Sequence, residues 1–81
     1  MYAVLYVKPG CVKCRLTDRK LKVPHRLQKL TQEDIARFKN EGKQSTPIVQ
    51  VFNSKNDLLD SWEGFDFEKI KKWNGLLEND K

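Results

Sequence analysis

Apolar and polar positions along the chain alternate in a way that divides it into seven segments. Residues 2–7 form an almost unbroken apolar run, as a strand buried on both faces requires. Pro9 and Gly10 break it. From Val12 to about Leu21 the residues are good helix formers, with Val12 and Leu16 on an apolar side, Arg19 and Lys20 on a charged one, and Pro24 closing the segment. Residues 25–30 read as a strand, because an extended chain puts Val23, His25 and Leu27 on one face. Thr31 is suited to cap a helix, with acidic residues in the first turn and Asp34 at the third helical position. Ile35 and Phe38 supply that helix with a buried edge, and Gly42 stops it.

Pro47 then opens a β-branched run, Ile48-Val49-Gln50-Val51-Phe52. Residues 53–57 carry turn chemistry, and Leu58 and Leu59 start a return strand, which makes a hairpin. A last helix begins at or near Asp66. Phe67, Ile70, Trp73 and Leu77 share one of its faces, Lys69, Lys71 and Lys72 lie elsewhere, and residues 78–81 are expected to fray. The order is β-α-β-α-β-β-α. A strand, crossover helix and strand imply a parallel pair, and the final hairpin adds an antiparallel edge. The expected class is α/β, in one domain spanning residues 1–81.

Charge changes the picture little. The chain carries 16 basic and 11 acidic residues, a formal charge of +5. That balance favours an acidic partner and speeds encounter with it. The basic residues are scattered without interleaved aromatics, so no nucleic-acid partner is expected. No apolar run approaches the roughly 20 residues a membrane span needs, so no membrane association is expected either. Residues 1–7 read as a strand rather than a signal peptide, which points to the cytoplasm.

The candidate chemistry lies in Lys8-Pro9-Gly10-Cys11-Val12-Lys13-Cys14, which holds both cysteines of the chain. In a reducing compartment a lone Cys-x-x-Cys is usually catalytic or metal-binding. With Cys11 at a helix start, free backbone N–H groups and the helix dipole favour negative charge on its sulfur. Lys8, Lys13 and Arg15 add positive potential, which also favours the thiolate. Cys14 lies one turn along, within reach of Cys11. The geometry suits dithiol–disulfide exchange, with Cys11 attacking and a more buried Cys14 resolving the mixed disulfide. No bound cofactor is then needed beyond the redox-active pair. Two other readings compete: inert core thiols, and half of a zinc site. A closed zinc site needs four ligands, and His25 is the sole histidine, so carboxylates or a second chain would have to complete it. A non-catalytic zinc-binding or interaction module is the alternative of another class. Thr46-Pro47, taken alone, reads as a trans proline opening an edge strand.

Together these residues resemble the glutaredoxin branch of the thioredoxin fold, a four-stranded mixed sheet flanked by three helices. Residues 11–21, Cys-Val-Lys-Cys-Arg-Leu-Thr-Asp-Arg-Lys-Leu, resemble the NrdH-redoxin motif Cys-Val-x-Cys-x-x-Thr-x-Arg-x-Leu. Residues 61–70 are similar to that family's Trp-Ser-Gly-Phe-x-Pro-x-x-Ile segment, and the likeness spans about residues 2–73. It implies a monomeric electron carrier that thioredoxin reductase reduces with NADPH and that donates to the large subunit of class Ib ribonucleotide reductase. It makes Cys11 and Cys14 catalytic and places Lys8, Val12, Lys13, Thr46, Pro47, Trp62, Gly64 and Phe65 against a partner. It also implies that Pro47 is cis beside the disulfide, that the Thr46 backbone pairs with a bound partner, and that Trp62 stands next to the disulfide.

The chain departs from that pattern in several places. The stretch between the first helix and Thr31 is short, the usual Val-Asp pair after the second strand is absent, and the hairpin turn is long. Glu63 stands where serine is common, and Phe67 replaces a proline. A glutathione-dependent glutaredoxin is the main competitor. Its Gly-Gly and polar-Asp elements would fall at Glu63-Gly64-Phe65-Asp66, where Glu63 repels the tripeptide's carboxylates and Phe65 crowds its backbone. Lys8 and Asp66 remain as contacts, so glutathione use is expected to be weak or absent.

Overall fold

The computed structural model describes residues 1–79. Its seven elements are β1 (Tyr2–Val7), α1 (Val12–Lys20), β2 (His25–Lys29), α2 (Gln32–Asn40), β3 (Ile48–Phe52), β4 (Leu58–Glu63) and α3 (Phe67–Asn79). The strands form one mixed sheet in the order β2-β1-β3-β4. β1 runs parallel to β2 and antiparallel to β3, and β3 is antiparallel to β4. This is the thioredoxin/glutaredoxin-type α/β arrangement, with three helices on a four-stranded sheet. The expected fraying falls partly on Asp80 and Lys81, outside the described residues, while α3 continues through Glu78.

The inner strands β1 and β3 are the most apolar of the four, because a strand with neighbours on both sides and helices on both faces has no wet side. Ala3 and Leu5 of β1 join Val49 and Val51 of β3 in a core completed by Leu21, Val23, Trp62, Ile70 and Trp73. Leu21 follows α1, and Ile70 and Trp73 lie on α3, so these two helices share one face of the sheet. The alternate residues point the other way, where the Tyr6 ring meets Phe38 of α2 edge-on at 4.9 Å.

Polar side chains fasten the helices. Asn74 of α3 accepts from the Lys22 N–H at 2.8 Å and donates to the Lys20 carbonyl at 3.0 Å, satisfying a carbonyl at the end of α1. Asp60 of β4 accepts from Lys69 Nζ at 2.9 Å and from the Trp73 indole N–H at 2.9 Å, which ties α3 to the sheet. Burial pushes the Asp60 carboxyl up, but the bonds from Lys69, Trp73 and the Ser61 N–H outweigh it and hold the group below its usual range. At α2 the expected cap is complete: Thr31 Oγ1 accepts from the Asp34 N–H, and Asp34 Oδ2 accepts from the Thr31 N–H, both at 3.1 Å.

Four expectations about faces are corrected. α1 turns Val12 and Leu16 outward and buries Cys14 and Thr17. Thr17 tolerates this because its hydroxyl returns to the Lys13 carbonyl at 2.8 Å. Ile35 is exposed, so Phe38 alone carries the fully buried contact of α2. Leu27 and Phe67 are likewise on the surface. Leu27 lies on an edge strand, and Phe67 occupies the first turn of α3, ahead of the turns that carry Ile70 and Trp73 into the core.

Candidate functional site

Gly10 has φ +70°, a conformation that glycine adopts freely, and it turns the chain from the end of β1 into α1. Cys11 is therefore the cap residue of α1, with extended backbone angles, and its sulfur accepts the Cys14 N–H at 3.1 Å. That sulfur takes the place usually filled by a Ser, Thr or Asp oxygen. The first turn of α1 contains no acidic residue to compete for the positive end of the helix. Cys11 and Cys14 are joined as a disulfide, with their Cα atoms 5.2 Å apart. The two sulfurs differ in access: Cys14 is 6% exposed, whereas Cys11 is half-buried.

On the other side of the sulfur lies the Thr46–Pro47 peptide bond, which is cis rather than the trans default. Thr46 Oγ1 lies 3.3 Å from Cys11 Sγ, and because a disulfide sulfur carries no hydrogen the hydroxyl is the donor. The Pro47 carbonyl accepts from the Gly64 N–H at 2.8 Å. Among the described residues neither the Thr46 N–H nor its carbonyl makes a backbone hydrogen bond.

Cys11 stands between two shallow grooves. One, of about 390 Å³, runs between Lys8, Val12 and Lys13 on one wall and Gln44, Ser45 and Thr46 on the other. The second, of about 150 Å³, is lined by Lys8, both cysteines, Arg15, Asp18 and Leu27. Lys8, Lys13 and Arg15 make no ion pair among the described residues. The nearby carboxylates are engaged. Asp18 Oδ1 is 2.7 Å from His25 Nε2, and Glu63 Oε1 accepts the N–H groups of Gln44 and Ser45 at 3.2 and 3.0 Å. The bonds from Ser45 and Gln44 hold the Glu63 carboxyl below its usual range, with help from the Lys43 charge.

The residues picked out from the sequence separate into two groups. Lys8, Val12, Lys13 and Thr46 line the groove beside Cys11, and Val12 is 63% exposed there. Pro47, Trp62 and Gly64 are buried behind that groove. Trp62, 5% exposed, belongs to the core cluster that Ile70 and Trp73 of α3 complete. Gly64, at φ +72°, has its N–H committed to Pro47. Phe65 is half-buried against the same core.

Two features escaped the sequence reading. Asp18 follows Cys14 by one helical turn, so that spacing alone puts it on the same side of α1. It meets His25, which had no role beyond its strand; His25 Nδ1 is also 2.6 Å from the Val23 carbonyl. Glu63 was legible only as a repulsive charge. Among the described residues no cluster of three or more His, Cys, Asp or Glu side chains is placed to hold a metal, and no helix is long and apolar enough to cross a membrane. Compared with protein-family models, with curated proteins and with solved structures, the chain matches none.

Proposed function

We propose that the protein is a thiol–disulfide oxidoreductase of the NrdH-redoxin type, working through Cys11 and Cys14. The observation that carries this reading is the environment of the Cys11 sulfur. It caps a helix free of first-turn acids, receives a backbone N–H and a hydroxyl, and faces a groove lined by Lys8 and Lys13. Each of these contacts stabilises negative sulfur more than neutral sulfur. The shielded Cys14 suits the second step.

In the reduced protein the Cys11 thiolate attacks one sulfur of a substrate disulfide. A Cys11–substrate disulfide forms, and the other substrate sulfur leaves as a thiolate that takes a proton from water. Cys14 then loses its proton, and its sulfur attacks Cys11 Sγ. The Cys11–Cys14 bond forms, the mixed disulfide breaks, and the second substrate thiolate leaves. Two electrons pass to the substrate. A reductase returns them by reducing the Cys11–Cys14 bond at the expense of NADPH.

The free N–H and carbonyl of Thr46 fit a partner chain that lies across the groove in extended form, adding backbone bonds beside the sulfur. This favours a polypeptide disulfide as substrate. Within this reading the donor is thioredoxin reductase, the recipient is a class Ib ribonucleotide reductase, and the setting is the cytoplasm. A coupled assay tests it: NADPH oxidation is followed with thioredoxin reductase, and separately with glutathione plus glutathione reductase, using a protein disulfide as acceptor. Turnover with thioredoxin reductase is expected. Turnover with glutathione alone would replace the donor, and turnover with neither would remove the redox function.

A further inference from the structure

We infer that Glu63 is a positioning residue for the Cys11 sulfur, acting through the backbone of residues 44–46 and the Thr46 hydroxyl. The inference rests on Cys11 being the reactive thiolate.

Glu63 is the last residue of β4, and its carboxylate turns back over the segment that leads into Thr46. One oxygen, Oε1, accepts two successive N–H groups, from Gln44 at 3.2 Å and Ser45 at 3.0 Å. Two successive donors converge on one acceptor only in a narrow set of backbone orientations, so the shared oxygen sets the direction in which the chain enters Thr46. The next residue on β4's side, Gly64, donates to the Pro47 carbonyl at 2.8 Å. Thr46 is thus bracketed by two consecutive residues, one holding the peptide groups before it and one holding the carbonyl after it. Between those fixed points its hydroxyl rests 3.3 Å from Cys11 Sγ.

A carboxylate suits this task better than a neutral acceptor, because bonds from N–H groups to a charged oxygen are shorter and stronger. Its charge opposes a nearby thiolate, while its grip favours one by keeping the hydroxyl in place. The two effects can be separated by substitution. The charged groups facing the sulfur along its grooves are Lys8, Lys13, Arg15 and Asp18, and Lys43 faces Glu63.

The experiment is the pH profile of alkylation of the reduced protein by iodoacetamide, with the modified cysteine mapped by mass spectrometry. Thr46→Val, which deletes the hydroxyl at nearly constant shape, should raise the midpoint by about one pH unit. Glu63→Gln keeps an oxygen at the same reach and removes the charge, so its midpoint should match the wild type or fall below it. Glu63→Ala, and Glu63→Asp with its shorter reach, should lie above Glu63→Gln by at least about half a unit. In a Thr46→Val background the gap between the two uncharged variants, Glu63→Ala and Glu63→Gln, should close, since the grip then has no hydroxyl to place. Coincident profiles for Ala and Gln, or an Ala–Gln gap that survives loss of the hydroxyl, would overturn the role. Glu63→Met, uncharged, of similar length and without an acceptor, takes the place of Ala where Ala perturbs folding. Label on Cys14 in the wild type would instead overturn the assignment of Cys11, a distinct result.

Discussion

The helices α1 and α2 are each nine residues long, and their first turns are built from opposite chemistry. At α2 the Thr31 hydroxyl and the Asp34 carboxylate close a reciprocal box, and Glu33 and Asp34 set negative charge on the positive end of the helix. At α1 the corresponding place is held by the Cys11 sulfur, and the only charged residue inside the first turn is Lys13. One helix start is finished as structure. The other keeps its N–H groups and dipole facing an atom that can gain or lose charge, so the same few peptide groups stabilise a fold at α2 and a reactive state at α1.

Removing the sulfur should break this contrast most severely. Cys11→Ser leaves a good capping oxygen but no nucleophile, so reduction of a protein disulfide should vanish while thermal stability of the reduced chain is retained. Cys14→Ser should instead accumulate a mixed disulfide with the substrate, visible as added mass. A smaller but still large effect is expected where α3 is held by a side chain rather than by its start. Asp60→Ala should lower stability by about 2 kcal/mol, read as a fall in the urea midpoint, because Lys69 and the Trp73 N–H lose their acceptor. Asp60 has a folded value below its ordinary 3.8, so its contribution is complete above that value and is lost as pH falls through the lowered one. Asp60→Asn should therefore flatten the decline in urea midpoint between pH 7 and pH 3.

Giving α1 the electrostatics of α2 is the more direct trial. Lys13→Glu with Arg15→Glu should slow Cys11 alkylation at pH 7 by about threefold to tenfold, and added salt should shrink the difference. The smallest effect on chemistry belongs to the other helix. Thr31→Ala should cost about 1 kcal/mol and a few degrees of melting temperature, with the rate of disulfide reduction unchanged. A rate that fell in step with stability would mean that the two helix starts are not independent.

Most of the architecture could be read in advance because its signals are local. The apolar runs of β1 and β3, the turn at residues 53–57 and the Thr31/Asp34 cap each announce themselves within a few positions. The location of the sulfur pair between a strand and a helix start followed from the same local order. What stayed hidden depends on residues far apart in sequence. The bonds from the Gln44 and Ser45 N–H groups to Glu63 cross 19 and 18 positions, and Thr46 reaches Cys11 across 35. Hydrophobicity also misled where apolar side chains remain outside. Val12 and Leu16 look like the inner side of α1, yet Cys14 and Thr17 are the residues buried, Thr17 with its hydroxyl satisfied within the helix. Trp62 has the converse history. Its indole, 5% exposed, lies in the core.

The sheet ends in two open strands, and they discourage stacking of copies by different means. β2 presents Arg26 and Lys29 along its free edge, so two molecules brought edge to edge would set like charges against each other. β4 begins with the exposed pair Leu58 and Leu59, a stickier edge, but its register against β3 shifts at Val51/Phe52. That irregularity interrupts the flat ladder a fibril would need. Concentrated solutions of the protein should therefore stay clear longest at low ionic strength, where the charges on β2 act at full range, and salt should bring on turbidity through that edge first.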